Sequence, residues 1–293
     1  MVLLSRRVVC DIFNYMVWIT YDSQEYLSRP QPKVLKKLPP GVYEIYLEGD
    51  DPQFILIEES TSGLLKLKDN PSEEVINDII GFWDGKEVYE KYSLPYKRGI
   101  LLYGPPGTSK SKTISQISKI IVERGGYVII FDEVESFTIA VEVLRKEQPN
   151  APIVCVMEDL DYILSNLKDK SEILNLLDGA FDPIQNVVYL ATTNKPQELE
   201  NNILNRPSRF DRRIEFDYPS AENRKQYLSF LLDSGKDKPG TEPKINIDEM
   251  VEKSAGMSFA HLKELFLGVV LYKKPLDKLC EELQAIDSED LVE

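Results

Sequence analysis

Short apolar runs alternate with stretches of helical spacing through the middle of this 293-residue chain. The runs GILLY (99–103), YVIIF (127–131), IVCVM (153–157), VVYLA (187–191) and RIEF (213–216) have the length and residue types of buried strands. Between them, segments beginning at Ser111, Ile139 and Ser171 can form helices. Repeated strand–helix alternation predicts a parallel sheet covered on both faces, because parallel neighbours need crossover connections and the crossovers bury the sheet. After Pro219 the strands stop. Residues 221–234 and 258–272 read as amphipathic helices joined across GKDKPGTEPK, and 276–293 as an acidic helix or frayed tail.

The first seventy residues have another texture. A proline-rich bend (Pro30, Pro32, Pro39, Pro40, Gly41) precedes the β-prone runs VYEIYLEG and QFILIEE. An apolar stretch from Val8 to Ile19 is broken by Asp11 and Asn14, too short and too polar to cross a bilayer. From Pro71 to Tyr92 the pattern turns helical, with Val75, Ile79, Phe82 and Trp83 on one face. The expected divisions are an α+β or mostly β N-terminal domain (1–72), an α/β core (73–219), a small helical lid (220–275) and the acidic tail (276–293).

Composition narrows the partners. With 35 basic and 49 acidic residues the formal charge is −14, so naked nucleic acid is a poor fit. Cys10, Cys155 and Cys280 are far apart and form no CxxC pair. That argues against a disulfide framework and fits a reducing cytoplasm.

Four motifs carry chemistry. GILLYGPPGTSKSKT sets a glycine-rich loop after a strand and before a helix, the context of a phosphate-binding loop. Main-chain N–H groups of Gly104, Gly107, Thr108 and Ser109, in a loop bent by Pro105 and Pro106, would wrap the phosphates of ATP. Lys110 would add a point charge, with Lys112 beside it at the helix start. The Ser111 hydroxyl would ligate Mg2+. Ser109 stands where this pattern expects glycine, at a position demanding of backbone conformation. Second, IVCVMEDLD ends an apolar strand in two acids. Glu158 is assigned to the metal shell and Asp159 to polarising the attacking water, since neighbours at a strand end point to opposite sides. Third, Asn194 ends VVYLATTN, where it could hydrogen-bond the terminal phosphate or the lytic water; asparagine there is otherwise a turn residue. Fourth, Arg206 and Arg209 in NRPSRFDRR have no evident use in their own subunit's pocket. They are candidates for delivery to a neighbour's nucleotide, against the alternative of ordinary salt-bridged arginines.

In their order, PYKRGILLYGPPGTSKS, VMEDLD, LLDGAF, ATTNKP and LNRPSRFDRRIEFDYPSAENR, these segments make residues 75–275 resemble the AAA family of AAA+ ATPases. KRGILLYGPP, the Glu-Asp order and the LLDG helix look most like the branch of the mitochondrial chaperone that assembles respiratory complex III. The resemblance implies a P-loop α/β fold with a five-stranded parallel sheet followed by a small helical lid, a sensor role for Asn194 and a finger role in trans for Arg206 and Arg209. It also implies that Gly256, in GMSFAHLKEL, lies where the lid meets nucleotide, with His261 a surface or packing residue. The implied activity is ATP hydrolysis by a homo-oligomeric ring, a hexamer or heptamer, that remodels a protein substrate. Departures are Ser109, Ser208 in place of glycine, the missing membrane helix, and a short DEVESFTIAV segment without the family's pore loop, where Phe137 reads as core. A nucleotide switch with little turnover and a nucleic-acid loader are the competing functions.

Overall fold

The computed structural model describes residues 6–11, 17–21, 33–35, 37–49, 51–57, 71–166, 170–179, 184–199, 203, 206, 208–234 and 245–289. They form two compact units. One comprises residues 1–62, 72–103 and 111–214, the other 63–71, 104–110 and 215–293.

The first unit is built on a ten-stranded sheet. Its strands are β1 (Arg6–Asp11), β2 (Val17–Tyr21), β3 (Lys33–Leu35), β4 (Gly41–Glu48), β5 (Asp51–Ile57), β6 (Lys97–Tyr103), β7 (Tyr127–Ile130), β8 (Ile153–Met157), β9 (Val187–Thr193) and β10 (Arg212–Glu215). Their spatial order is β10-β6-β9-β8-β7-β4-β5-β1-β2-β3. Every apolar run expected to be a strand is one, and β6, β9, β8 and β7 pair in parallel. All residues of β8 and β9 are buried, which is why those runs are apolar throughout and do not alternate.

The sheet does not stop at the five strands predicted. β7 would be its edge, but β4 pairs with it in parallel, Gly41 opposite Tyr127 through Glu44 opposite Ile130. β5, β1, β2 and β3 then add in antiparallel fashion. Of the Val8–Ile19 stretch, Val8–Asp11 lie in β1 and Val17–Ile19 in β2, which pair with each other; Asn14 lies outside the described residues. Leu38, Tyr43, Ile45 and Phe54 share one buried core with Tyr127, Ile129 and Phe137. Residues 41–57, expected in a separate N-terminal domain, therefore continue the sheet of the core. The division at residue 72 is kept only as a proposal about folding units.

The helices of this unit are α1 (Ser72–Asp84), α2 (Lys86–Lys91), α3 (Lys110–Glu123), α4 (Val134–Glu147), α5 (Leu160–Asn166) and α6 (Ser171–Asp178). α3 begins at the last residue of the glycine-rich segment. α4 starts at Val134 and not at Ile139, because Phe137 already belongs to its buried stripe with Ala140, Val141 and Leu144. Phe137 is 1% exposed and its ring lies 6.1 Å from that of Tyr189, so it is a core residue.

The second unit carries α7 (Ala221–Asp233), α8 (Ile247–Lys253), α9 (Phe259–Val270) and α10 (Leu276–Glu289). Leu228, Met250, Met257, Leu262, Leu265 and Leu279 form its own core. Ser220, Asn246 and Ser258 cap α7, α8 and α9 by accepting from the N–H three residues on, as N-cap side chains do. Among the described residues no helix is long and apolar enough to cross a membrane.

Candidate functional site

The glycine-rich loop follows β6 directly and leads into α3. Its backbone is unusual where the sequence predicted it would be: Gly104, Gly107 and Ser109 all have positive φ, Ser109 at 84°. A non-glycine residue in that region carries about 1–2 kcal/mol of steric cost, so serine is tolerated there against a local penalty. The loop is cross-braced by its own side chains. Thr108, 2% exposed, donates its hydroxyl to the Pro105 carbonyl at 2.8 Å. The Lys110 ammonium, 6% exposed, donates to the carbonyls of Gly104 and Pro105 at 2.7 and 2.8 Å.

This loop packs on the segment of the helical unit that holds Gly256. A Cβ placed on Gly107 would come within 2.7 Å of Ser258 Oγ and 2.8 Å of Ala260 Cβ, so only glycine permits that approach. Ser258 caps α9 and lies 3.2 Å from His261 Nδ1. Gly256, two residues earlier, has φ of 79° and open space where a side chain would sit. Pro106 and Lys112 lie in the same loop–helix passage, and Lys112 is exposed.

The acids lie at the end of β8. Ser111, in the first turn of α3, donates its hydroxyl to Glu158 Oε2 at 2.9 Å. Asp159 is turned the other way. Its φ is 50°, its N–H donates to Thr192 Oγ1 at 3.1 Å, and its carboxylate accepts from Asn194 Nδ2 at 3.1 Å. The two acids thus face different partners, as neighbouring positions at a strand end require. Below them Thr193, fully buried, donates to Asp161 at 2.6 Å. That bond anchors the tip of β9 and with it Asn194. Glu158, Asp159 and Asn194 are themselves exposed.

The arginines sit elsewhere. Arg209 is 4% exposed and makes a bidentate pair with Asp178, Nε to Oδ1 at 3.0 Å and an amino group to Oδ2 at 2.7 Å. Arg206 is 60% exposed and reaches the same carboxylate only at 3.4 Å. Ser208 donates its hydroxyl to Asp178 at 2.9 Å. Burial pulls the Asp178 carboxyl upward, but the hydrogen bonds from Arg209 and Ser208 and the charge of both arginines hold it below the usual carboxylate range. The two arginines were given one role by the sequence; their surroundings divide them into one exposed and one buried group. Asp178 went unnoticed as their partner, although LLDG was among the segments carrying the resemblance.

The glycine-rich loop holds the Lys110 ammonium against its own carbonyls; at the end of β8 stand a hydroxyl–carboxylate pair suited to a hard divalent cation and a second carboxylate held by an amide. Residues 100–218 match the model of the ATPase family associated with various cellular activities (AAA). A 26S proteasome regulatory subunit 8 homolog from Schizosaccharomyces pombe is 32% identical over 195 residues, 60% of this chain and 47% of that protein. Cell division protein C from Sulfolobus acidocaldarius is 26% identical over 78% of this chain and 68% of its own length. An ATP-dependent zinc metalloprotease, FtsH 2 of Sphaerobacter thermophilus, is 27% identical over 75% of this chain and 34% of its own length. The chain spans about half the length of the first of these relatives and about a third of the last.

Proposed function

We propose that this chain, whose residues 100–218 belong to the AAA family of ATPases, hydrolyses magnesium ATP in a homo-oligomeric ring and uses that cycle to remodel or assemble a protein substrate. ATP hydrolysis is the activity of the family. The observation that carries the reading to particular residues is the 2.9 Å bond between Ser111 and Glu158, which brings the hydroxyl at the end of the phosphate loop to the acid at the end of β8.

In this reading Gly104–Lys110 bind the phosphates, the loop amides and the Lys110 ammonium replacing their water shell. Ser111 and Glu158 would hold Mg2+, whose charge would offset that of the phosphates. Asp159 orients the attacking water and accepts its proton, with Asn194 fixing the carboxylate. Arg206, exposed and only loosely paired, is the group offered to the neighbouring subunit, and Arg209 holds its loop. Gly256 belongs to the lid segment over the nucleotide. A ring of six or seven copies and a cytoplasmic setting complete the proposal; the buried free thiols Cys155 and Cys280 suit a reducing compartment. Placement with the complex III assembly chaperones rests on motif style alone. The relatives above are of other kinds, so the substrate is proposed as a protein with no pathway attached.

One observation favours a second reading, a nucleotide switch with little turnover: Ser109 holds a left-handed conformation. Phosphate release measured with magnesium ATP separates the two. Steady release that disappears in Lys110→Ala, from a protein whose Asp159→Asn variant assembles in ATP, is the expected result. Background release from the natural chain would leave only the switch.

A further inference from the structure

At the end of β6 opposite the phosphate loop, three contacts fasten the arginine-bearing segment to the strand. The Lys97 ammonium donates both to the Leu177 carbonyl, at the C-terminus of α6, and to the Ser208 carbonyl at 2.6 Å, between the two arginines. The Gly99 N–H donates to Asp211 Oδ2 at 2.9 Å. A Cβ on Gly99 would overlap the carbonyl oxygen of Arg209, so the segment lies directly on the strand's backbone. Asp178, the residue after Leu177, grips Arg209 and Ser208 from the other side.

Charge makes Lys97 distinctive. It faces Asp178 and Asp211, and also the Arg209 guanidinium. Burial, joined by the Arg209 charge, lowers its pKa more than Asp211 and Asp178 raise it. An ammonium kept in that setting and aimed at two carbonyls, with neither acid as its hydrogen-bond partner, ties main chain to main chain. It fixes the position of Ser208, next to Arg209, whose N–H donates to the Arg206 carbonyl at 3.1 Å. Arg206 has no comparable hold of its own, so its placement depends on the segment that bears it.

We propose that Lys97 is a positioning residue for catalysis in the neighbouring subunit: by clamping Leu177 and Ser208 to the start of β6 it sets where Arg206 is presented across the ring interface. This rests on the ring reading above. It means that one strand serves two active sites, its Tyr103 end leading into the subunit's own phosphate loop and its Lys97 end aiming an arginine at the next. A misplacement of about 1 Å in such a group costs on the order of a hundredfold in rate.

The test uses co-expressed full-length chains. Lys97→Met alone should keep the ring, its melting temperature within a few degrees and its magnesium-dependent ATP affinity. Its kcat should fall ten- to a hundredfold with KM little changed, and Lys97→Arg should recover much of the loss. Lys110→Ala subunits have a dead pocket but an intact arginine segment. Mixed rings of the two variants should therefore regain turnover, because about a quarter of random head-to-tail interfaces pair a working pocket with a working arginine. Mixed rings no more active than the separate variants would overturn the inference, as would loss of ATP affinity in Lys97→Met. If that variant is recovered unfolded, Lys97→Gln replaces it in the same mixing experiment with the same two outcomes. Absence of turnover in the natural chain would instead strike the proposed function, so the two failures are distinct.

Discussion

The acids at the tip of β8 and the arginine segment at the start of β6 hold their charges in opposite ways. Glu158, Asp159 and Asn194 are exposed, and the carboxylates of Glu158 and Asp159 each accept one described hydrogen bond, at 2.9 and 3.1 Å, from a small polar group. Arg209 is buried in a bidentate pair, with Ser208 and Lys97 reinforcing the same knot. Groups that meet a changing charge need freedom to exchange partners, and exposed single bonds are weak enough to allow it. Groups that only place others gain from burial, where an ion pair is unscreened and geometry is fixed. In the proposed function the first set does the chemistry and the second only places it.

Substitutions can break this contrast, the largest effect first. Asp159→Asn should lower phosphate release by two to three orders of magnitude while leaving the thermal midpoint unchanged. A midpoint that fell with it would show that the acid is structural. Asp178→Ala should do the reverse in kind. It leaves the Arg209 guanidinium buried without its partner, costing about 3–5 kcal/mol, visible as a lower denaturant midpoint even without nucleotide. The same residue sets an acid limb. Its carboxyl is depressed in the folded chain, so its contribution is complete above the unfolded value of about 4 and is lost as pH falls through that value and below. In Asp178→Asn that limb should flatten below about pH 4. Smallest is Ser109→Gly, which relieves a left-handed serine. A gain of about 1 kcal/mol would raise the midpoint by roughly 2–4 °C, and no gain would mean the serine is held by contacts worth its strain.

What could be read in advance follows the range of the interactions. The strands of the core were legible because each is a compact apolar run, and a strand buried on both faces must be one. The glycine-rich loop was legible as a turn of unusual backbone because its residues are contiguous, and even the positive φ of Ser109 was foreshadowed by the glycine it replaces. The start of α4 was placed late because Phe137 reads equally as loop or helix until its buried neighbours are known. The pairing of β4 with β7 was not legible at all, since nothing near Gly41 announces Tyr127 as its partner. Nor was the bond between Asp178 and Arg209, which lie 31 residues apart. Role assignments for the site residues made from sequence remain proposals; what has been added is their separation into lightly and firmly held groups.

The attachment of β4 alongside β7 has a practical corollary for anyone dissecting the molecule. A chain started at residue 72 would strip β7 of its outer neighbour and leave its amides and carbonyls open, next to Tyr127 and Ile129 shorn of Tyr43, Ile45 and Phe54. Such a raw, greasy border invites strangers to dock strand against strand. The residues ahead of the ATPase module thus act as its selvedge, the finished margin that keeps the weave from snagging on its own kind.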